Sequence, residues 1–207
     1  YYKNLSEVIK IMSRIIGVRD LHIAKITKDD LSGTTYESPV AVPSLISIEI
    51  ADNTENVTFY SDDVVEQVIP AFSGKEVTIE LGYLSHEIEA MISGNSYENG
   101  VFTQSSDAVA SEYAIMFRAP LSKGGFQYVT LYKGVLSRNE ATYQGKEESI
   151  ESSNVTLTGV FMPLLSNGKV SARANSTDEG AEEFTSKWFE AVQTEFTPAM
   201  ALAKKVK

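Results

Sequence analysis

The sequence predicts a mostly-β domain, and three observations carry that expectation. The strongest alternation in the chain runs over residues 125–135, where Phe126, Tyr128, Thr130 and Tyr132 fall on one face of an extended strand and Gln127, Val129, Leu131 and Lys133 on the other. Both faces carry apolar side chains, as a strand covered on two sides requires. Shorter alternating runs recur before and after it, at Ile46, Ile48 and Ile50 and at Val77, Ile79 and Leu81. The chain has 207 residues, 43% of them hydrophobic, which suits one domain with a sizeable core.

Taken in order, residues 4–17 read as a helix: Leu5, Val8, Ile9, Met12, Ile15 and Ile16 repeat at three- and four-residue intervals, and Gly17 stands at the C′ position. Met12 also offers a natural start, which would leave residues 1–11 as a leader. Residues 21–27 alternate as a first strand. Residues 29–43 hold Gly33, Pro39 and Pro43 with few positions that could pack, and read as a long loop. Ile46, Ile48 and Ile50 alternate with Ser47 and Glu49 in a half-buried strand. The turn-like Asp52-Asn53 separates it from another strand at residues 56–60. Residues 61–74, with Asp62-Asp63 and Pro70, read as loop. At residues 76–81, Val77, Ile79 and Leu81 oppose Glu76, Thr78 and Glu80.

Ser85 can cap a short helix through Ile92, with Ile88, Met91 and Ile92 on its apolar side. Residues 95–100 are turn-rich. Residues 113–119 and 126–135 should pair as a hairpin about Pro120 and Gly124-Gly125. A strand follows at 155–164, then Asn167-Gly168, the best type I′ turn signal, and a weaker strand at 169–172. Residues 174–180 are linker-like. Trp188, Val192 and Phe196 mark a C-terminal amphipathic helix that Pro198 ends, before a basic tail with Lys204, Lys205 and Lys207. The domain plan is therefore a leader or arm over 1–16, a β domain over 17–173, and a linker, helix and tail over 174–207.

Composition excludes several classes. With no cysteine, disulfides, thiolate metal sites and cysteine nucleophiles are ruled out. No apolar run approaches the roughly 20 residues that cross a bilayer, and no signal-peptide pattern opens the chain. The formal net charge of −10 is unevenly spread. Between Asp29 and Phe117 lie sixteen acids and a single base, Lys75, so bases outnumber acids in the remainder. A binder of nucleic-acid phosphates needs clustered Lys and Arg instead.

The motifs give enzyme chemistry little support. His86-Glu87-Ile88-Glu89-Ala90 has Ala90 where a zinc peptidase helix needs its second histidine, and His22 and His86 are the only histidines. No nucleophile elbow and no phosphate-binding glycine loop occurs. Asp29-Asp30, Asp62-Asp63 and Glu147-Glu148 could be nominated as paired carboxylates, yet all fall in turn-like stretches and read as solvated charge. No cofactor is expected.

An ordered set of segments resembles the major tail tube proteins of long-tailed (siphovirus-type) bacteriophages and prophages of Gram-positive bacteria. It comprises Ile16-Gly17-Val18-Arg19-Asp20-Leu21-His22-Ile23-Ala24-Lys25, Ile46-Ser47-Ile48-Glu49-Ile50, Tyr60-Ser61-Asp62-Asp63 and Val77-Thr78-Ile79-Glu80-Leu81-Gly82. Residues 128–134, Thr156-Leu157-Thr158-Gly159 and Trp188-Phe189 complete it. The resemblance spans residues 16–189. Residues 1–11 fall outside it, and the stretch after Phe196 is longer than the pattern.

The resemblance implies a β-sandwich or barrel with a flanking α-helix, a long inter-ring loop and terminal arms. Homohexameric rings would stack into a tube around a tape-measure protein, bounded by tail terminator and distal tail proteins. Double-stranded DNA would pass down the lumen without specific binding. The protein would be assembled in the host cytoplasm and reside in the virion, with no membrane partner. On this reading Glu49, Glu76 and Glu80, with Thr78, are candidate lumen-facing positions. Asp29, Asp30, Tyr36 and Glu37 lie in the inter-ring loop, and Asp62 and Asp63 at a subunit interface. Contact between acidic and basic surfaces of successive rings would make stacking salt-sensitive. A type VI secretion or tail-like bacteriocin tube protein, and a monomeric β-sandwich binding module, are the alternatives.

Overall fold

The computed structural model describes residues 13–61, 64–138 and 154–196. Their strands are β1 (Arg19–Asp30), β2 (Gly33–Tyr36), β3 (Val40–Val42), β4 (Leu45–Ser61), β5 (Val64–Leu81), β6 (Ser96–Glu98), β7 (Val101–Thr103), β8 (Tyr113–Pro120), β9 (Phe126–Arg138), β10 (Val155–Phe161) and β11 (Ser171–Asn175). Two short helices accompany them, α1 (His86–Ser93) and α2 (Glu182–Thr185).

Nine strands form one antiparallel sheet in the order β2-β1-β8-β9-β10-β5-β4, with β3 added on β1 and β11 on β9, while β6 and β7 pair separately. Leu21 and Ile23 of β1 share one core with Val77, Ile79 and Leu81 of β5, although three strands separate β1 from β5 in the sheet. The sheet must therefore curve back on itself, giving a β-sandwich whose filling also includes Tyr113, Ile115, Leu131, Leu157 and Phe161.

Strand β9 is the hinge of this arrangement. It pairs with β8 along one edge; along the other it takes β11 at residues 127–131 and β10 at 134–138. Between the Ile115–Leu131 and Tyr113–Gly134 pairs β9 carries an extra residue, a β-bulge. A one-residue slip exchanges the faces of a strand. Leu131 is accordingly buried in the core before the bulge and Leu136 after it, although their positions differ in parity. Gly134 lies where the Phe161 ring crosses the strand: a Cβ there would stand 2.6 Å from that ring's Cγ and Cδ1.

Helix α1 forms as the sequence predicts. The Ser85 hydroxyl accepts the Ile88 N–H at 3.3 Å, and Gly94 closes the helix in the left-handed region at φ 71°. Its buried residues Ile88, Ala90 and Ile92 face the sandwich, and the Tyr113 hydroxyl donates to the Met91 carbonyl at 2.5 Å. A second cluster lies on the opposite side of β8 and β9, where Trp188, Phe189, Val192 and Phe196 cover Met116 and Tyr128.

Several expectations are corrected. The part of the expected 4–17 helix that is described has none: Ile15 makes an isolated bridge to Leu121. The remainder of that helix lies outside the described residues. Residues 29–43 are not a long loop, because β1 runs on through Asp30 and turns tightly into β2, and β3 then returns along β1. Asp52-Asn53 does not break the chain but sits beside a register shift within a single 17-residue strand. Residues 64–74, expected as loop, extend β5 into a long hairpin with β4.

Asn167-Gly168 does not close a hairpin, since β10 and β11 both pair with β9. The Asn-Gly turn with both residues at positive φ is Asn99-Gly100, between β6 and β7. Strand β11 continues through Ala174 and Asn175, past the expected boundary at 173. The expected helix through Trp188, Val192 and Phe196 does not form: among the described C-terminal residues only Glu182–Thr185 is helical, and the aromatic residues beyond it pack from turns and irregular chain.

Candidate functional site

Cross-strand register gathers the acidic candidates onto one surface. Ser47 faces Glu80, Glu49 faces Thr78 and Ala51 faces Glu76 across the β4–β5 pair. Thr156, Thr158 and Val160 of β10 stand opposite Glu80, Thr78 and Glu76 on the other side of β5. Beyond them lie Ser137 and Val135 of β9. Directly opposed residues share a face of the sheet, so these positions form a four-strand surface. The alternate positions Ile48, Ile50, Val77, Ile79 and Leu157 point into the core. None of the positions on this surface is basic. Glu80 is fixed by Ser47 and Asn154, which donate to its carboxylate at 3.1 and 2.8 Å. The single base of the acidic segment, Lys75, is paired with Asp52 and sits over the Phe72 ring.

Strand β4 ends this sheet. Among the described residues it pairs only with β5, so none of them forms a strand on its other edge. The pairing of β5 with β10 runs from Lys75 to Leu81. The hairpin beyond it extends on the order of 30 Å at the usual rise per strand residue. Asp62 and Asp63 lie outside the described residues.

The residues expected in an inter-ring loop instead frame a tight hairpin. Asp30 accepts the Ser32 hydroxyl and N–H at 2.5 and 2.8 Å and pairs with Lys28 at 2.9 Å, which pulls its carboxyl down to about 2. The Glu37 N–H donates to the Lys25 carbonyl at 2.8 Å. The Tyr36 hydroxyl donates to the Tyr132 carbonyl at 3.2 Å, and burial pushes it above its ordinary range.

Asp29 is the least exposed of them, its side chain only 3% accessible. It pairs with Lys133 at 2.8 Å and accepts the Thr34 hydroxyl at 2.8 Å and the Leu165 N–H at 3.2 Å. Burial alone would raise the Asp29 carboxyl, but Lys133, Thr34 and Leu165 outweigh it and hold the group below its ordinary value. Lys133, bonded to Asp29 and near Glu112 at 3.5 Å, is raised despite its burial. Sequence reasoning missed this cluster. Its signal was a lysine at an apolar position of the strongest strand, which demands a buried partner.

His86 and Glu89 approach within 3.5 Å on α1, and Arg138 reaches Glu89 at 3.0 Å beside a cleft of about 600 Å3 that Leu84, Phe102 and Leu136 also line. His22 stacks on Phe189 at 4.4 Å. Among the described residues no three His, Asp or Glu side chains converge as a metal site would need, and no helix is long and apolar enough to cross a membrane. Comparison with protein-family models gives no match to this chain, and comparison with curated proteins gives none either.

Proposed function

We propose that this chain is the repeating subunit of a phage tail tube, closing into homohexameric rings that stack around a tape-measure protein. In that assembly the Glu49, Glu76, Thr78 and Glu80 surface lines the lumen through which double-stranded DNA passes. The observation that carries the reading is this surface, a four-strand face on which Glu49, Glu76 and Glu80 stand among threonines, serines, Ala51, Val135 and Val160, without a base. Each phosphate contact by Lys or Arg would add sequence-independent affinity. A conduit has to avoid such contacts, and an acidic wall keeps the duplex mobile.

The outer β4 edge supports the same reading. Unpaired strand edges invite pairing with another chain. Here the edge borders the acidic surface, so a neighbour adding its own strand would continue that surface around a ring. Such a contact joins two different patches and closes only if the rotation between copies completes a circle. The β4–β5 hairpin, which outruns its pairing with β10, can reach an adjacent subunit or ring.

Negative-stain electron microscopy of purified protein, with light scattering on the same sample, tests the proposal. Rings or hollow tubes of sixfold symmetry are expected. A monomer at every concentration and salt tried, and in the presence of tail-initiating proteins, would contradict it.

A further inference from the structure

We propose that Lys133 and Asp29 condense to an intramolecular isopeptide bond, with Glu112 moving the protons. This inference concerns the subunit itself and does not depend on the ring assembly.

Three features are assembled at one point. The amine and the carboxylate are in contact, Lys133 Nζ standing 2.8 Å from Asp29 Oδ2. Both are withdrawn from solvent, with side chains 11% and 3% exposed, which limits the water that would favour hydrolysis over condensation. A second carboxylate, Glu112, lies 3.5 Å from the same nitrogen, where it can accept a proton. The two oxygens of Asp29 are also differently equipped. Oδ1 accepts the Thr34 hydroxyl at 2.8 Å, a donor placed to stabilise negative charge there. Oδ2 faces Lys133 and the Leu165 N–H at 3.2 Å, on the side where protons are delivered. Strand pairing holds the partners in register: Asp29 is fixed opposite Thr34 in the β1–β2 hairpin, and Lys133 lies within the β9 bulge. Contact of this kind replaces a bimolecular encounter with a unimolecular one.

The step balances without a co-reactant. Glu112 takes a proton from the Lys133 ammonium, and the freed amine attacks Asp29 Cγ to form the C–N bond. Glu112 passes that proton to Oδ2 as the C–N bond forms, then takes a second proton from the nitrogen and delivers it to the same oxygen, so that the C–Oδ2 bond breaks and Oδ2 leaves as water, with Glu112 ionised again. The ionised pair is the resting form, so the first proton transfer is slow and the bond accumulates after folding. The product ties β1 to β9 across 104 positions in a chain that has no cysteine for a disulfide.

Intact mass spectrometry of the full chain, fresh and after prolonged incubation of the folded protein, tests the proposal. Wild type is expected to fall below its sequence mass by one water, and a tryptic digest to yield one branched peptide joining Lys133 to Asp29. Glu112→Gln and Asp29→Ala should stay at full mass. Folded wild type that keeps its full mass after incubation overturns the proposal, as does a water loss that maps elsewhere. If Glu112→Gln forms the link as fast as wild type, Glu112 is not the shuttle. Should either variant fail to fold, the wild-type mass and its branched peptide still decide.

Discussion

Lys133 of β9 meets Asp29 of β1 at 2.8 Å with both side chains largely withdrawn from solvent, and this contact pins the first hairpin of the chain to its central strand. Removing one partner of a buried pair leaves the other charge uncompensated, at a cost of about 3–5 kcal/mol. Asp29→Ala should fall at the low end, about 3 kcal/mol, because Glu112 remains near Lys133. Urea unfolding of the single and double variants gives the coupling; a cost near zero for both singles would show that the pair is not formed.

In freshly folded protein, before the isopeptide bond forms, the same pair sets two pH limits. Asp29 is depressed in the folded state, so its contribution is present above the unfolded carboxyl pKa, about 4, and lost as pH falls through the lower folded value. Lys133 is raised, so its contribution is present below the unfolded amine value, about 10, and lost as pH rises through the higher folded one. Stability measured in urea should therefore fall below pH about 4, and Asp29→Asn should flatten that acid limb. An unchanged slope in the variant would assign the acid sensitivity to other carboxyls.

Gly134→Ala should destabilise the protein by about 1–3 kcal/mol, the usual range for an overpacked core. The added methyl would meet the Phe161 ring at 2.6 Å and the Val160 carbonyl oxygen at 2.7 Å, both on a neighbouring strand. Thermal unfolding checks this, and Phe161→Leu in the same background should recover part of the loss.

Trp188 is the only tryptophan and is 3% exposed, so its fluorescence reports the C-terminal segment against the sheet. Trp188→Ala should cost about 3–5 kcal/mol by emptying the space beside Tyr128 and Phe196. Trp188→Phe should cost clearly less, because it keeps an aromatic ring and removes an indole N–H that has no partner among the described residues. Equal losses in the two variants would mean that the N–H is satisfied.

These residues show what could be read in advance. The alternation around Tyr128 and Leu131 was visible, as was the Ser85 cap, since both are local signals. The surface of Glu49, Glu76 and Glu80 was also within reach, because strand alternation fixes the face of each. The bulge in β9 was not legible: Gly134 borders it but reads equally as the end of a strand, and the bulge exists because β8, β10 and β11 impose different registers on one chain segment. Residues 29–43 misled because Gly33, Pro39 and Pro43 punctuate short strands as readily as a loop. Trp188, Val192 and Phe196 misled because a helical spacing of aromatics also suits an irregular segment laid over an apolar sheet.

Reversing the charge of the acidic surface separates its electrostatics from its folding role. The triple change Glu49→Lys, Glu76→Lys and Glu80→Lys should shift unfolding only slightly, since surface substitutions usually act within about 0.5 kcal/mol each. Glu80 should account for most of that shift through its bonds to Ser47 and Asn154. The variant should gain salt-dependent affinity for duplex DNA, measured by fluorescence anisotropy, where wild type shows none. Binding by wild type would argue against a conduit.

The most direct test of the lumen assignment uses the absence of cysteine, which makes any introduced thiol unique. Thr78→Cys places one at the centre of the acidic surface, and Ser106→Cys places one on the exposed loop that follows β7, whose neighbours Gln104, Ser105 and Ala108 line the cleft beside α1. Assembled protein is labelled with a small maleimide and with a maleimide carried on a polymer too bulky for a narrow channel. The account predicts that the thiol at position 106 takes both reagents and the thiol at position 78 only the small one, with both sites open to the polymer once the assembly is dissociated. Polymer labelling at position 78 in the assembly, at the rate seen at position 106, would contradict it.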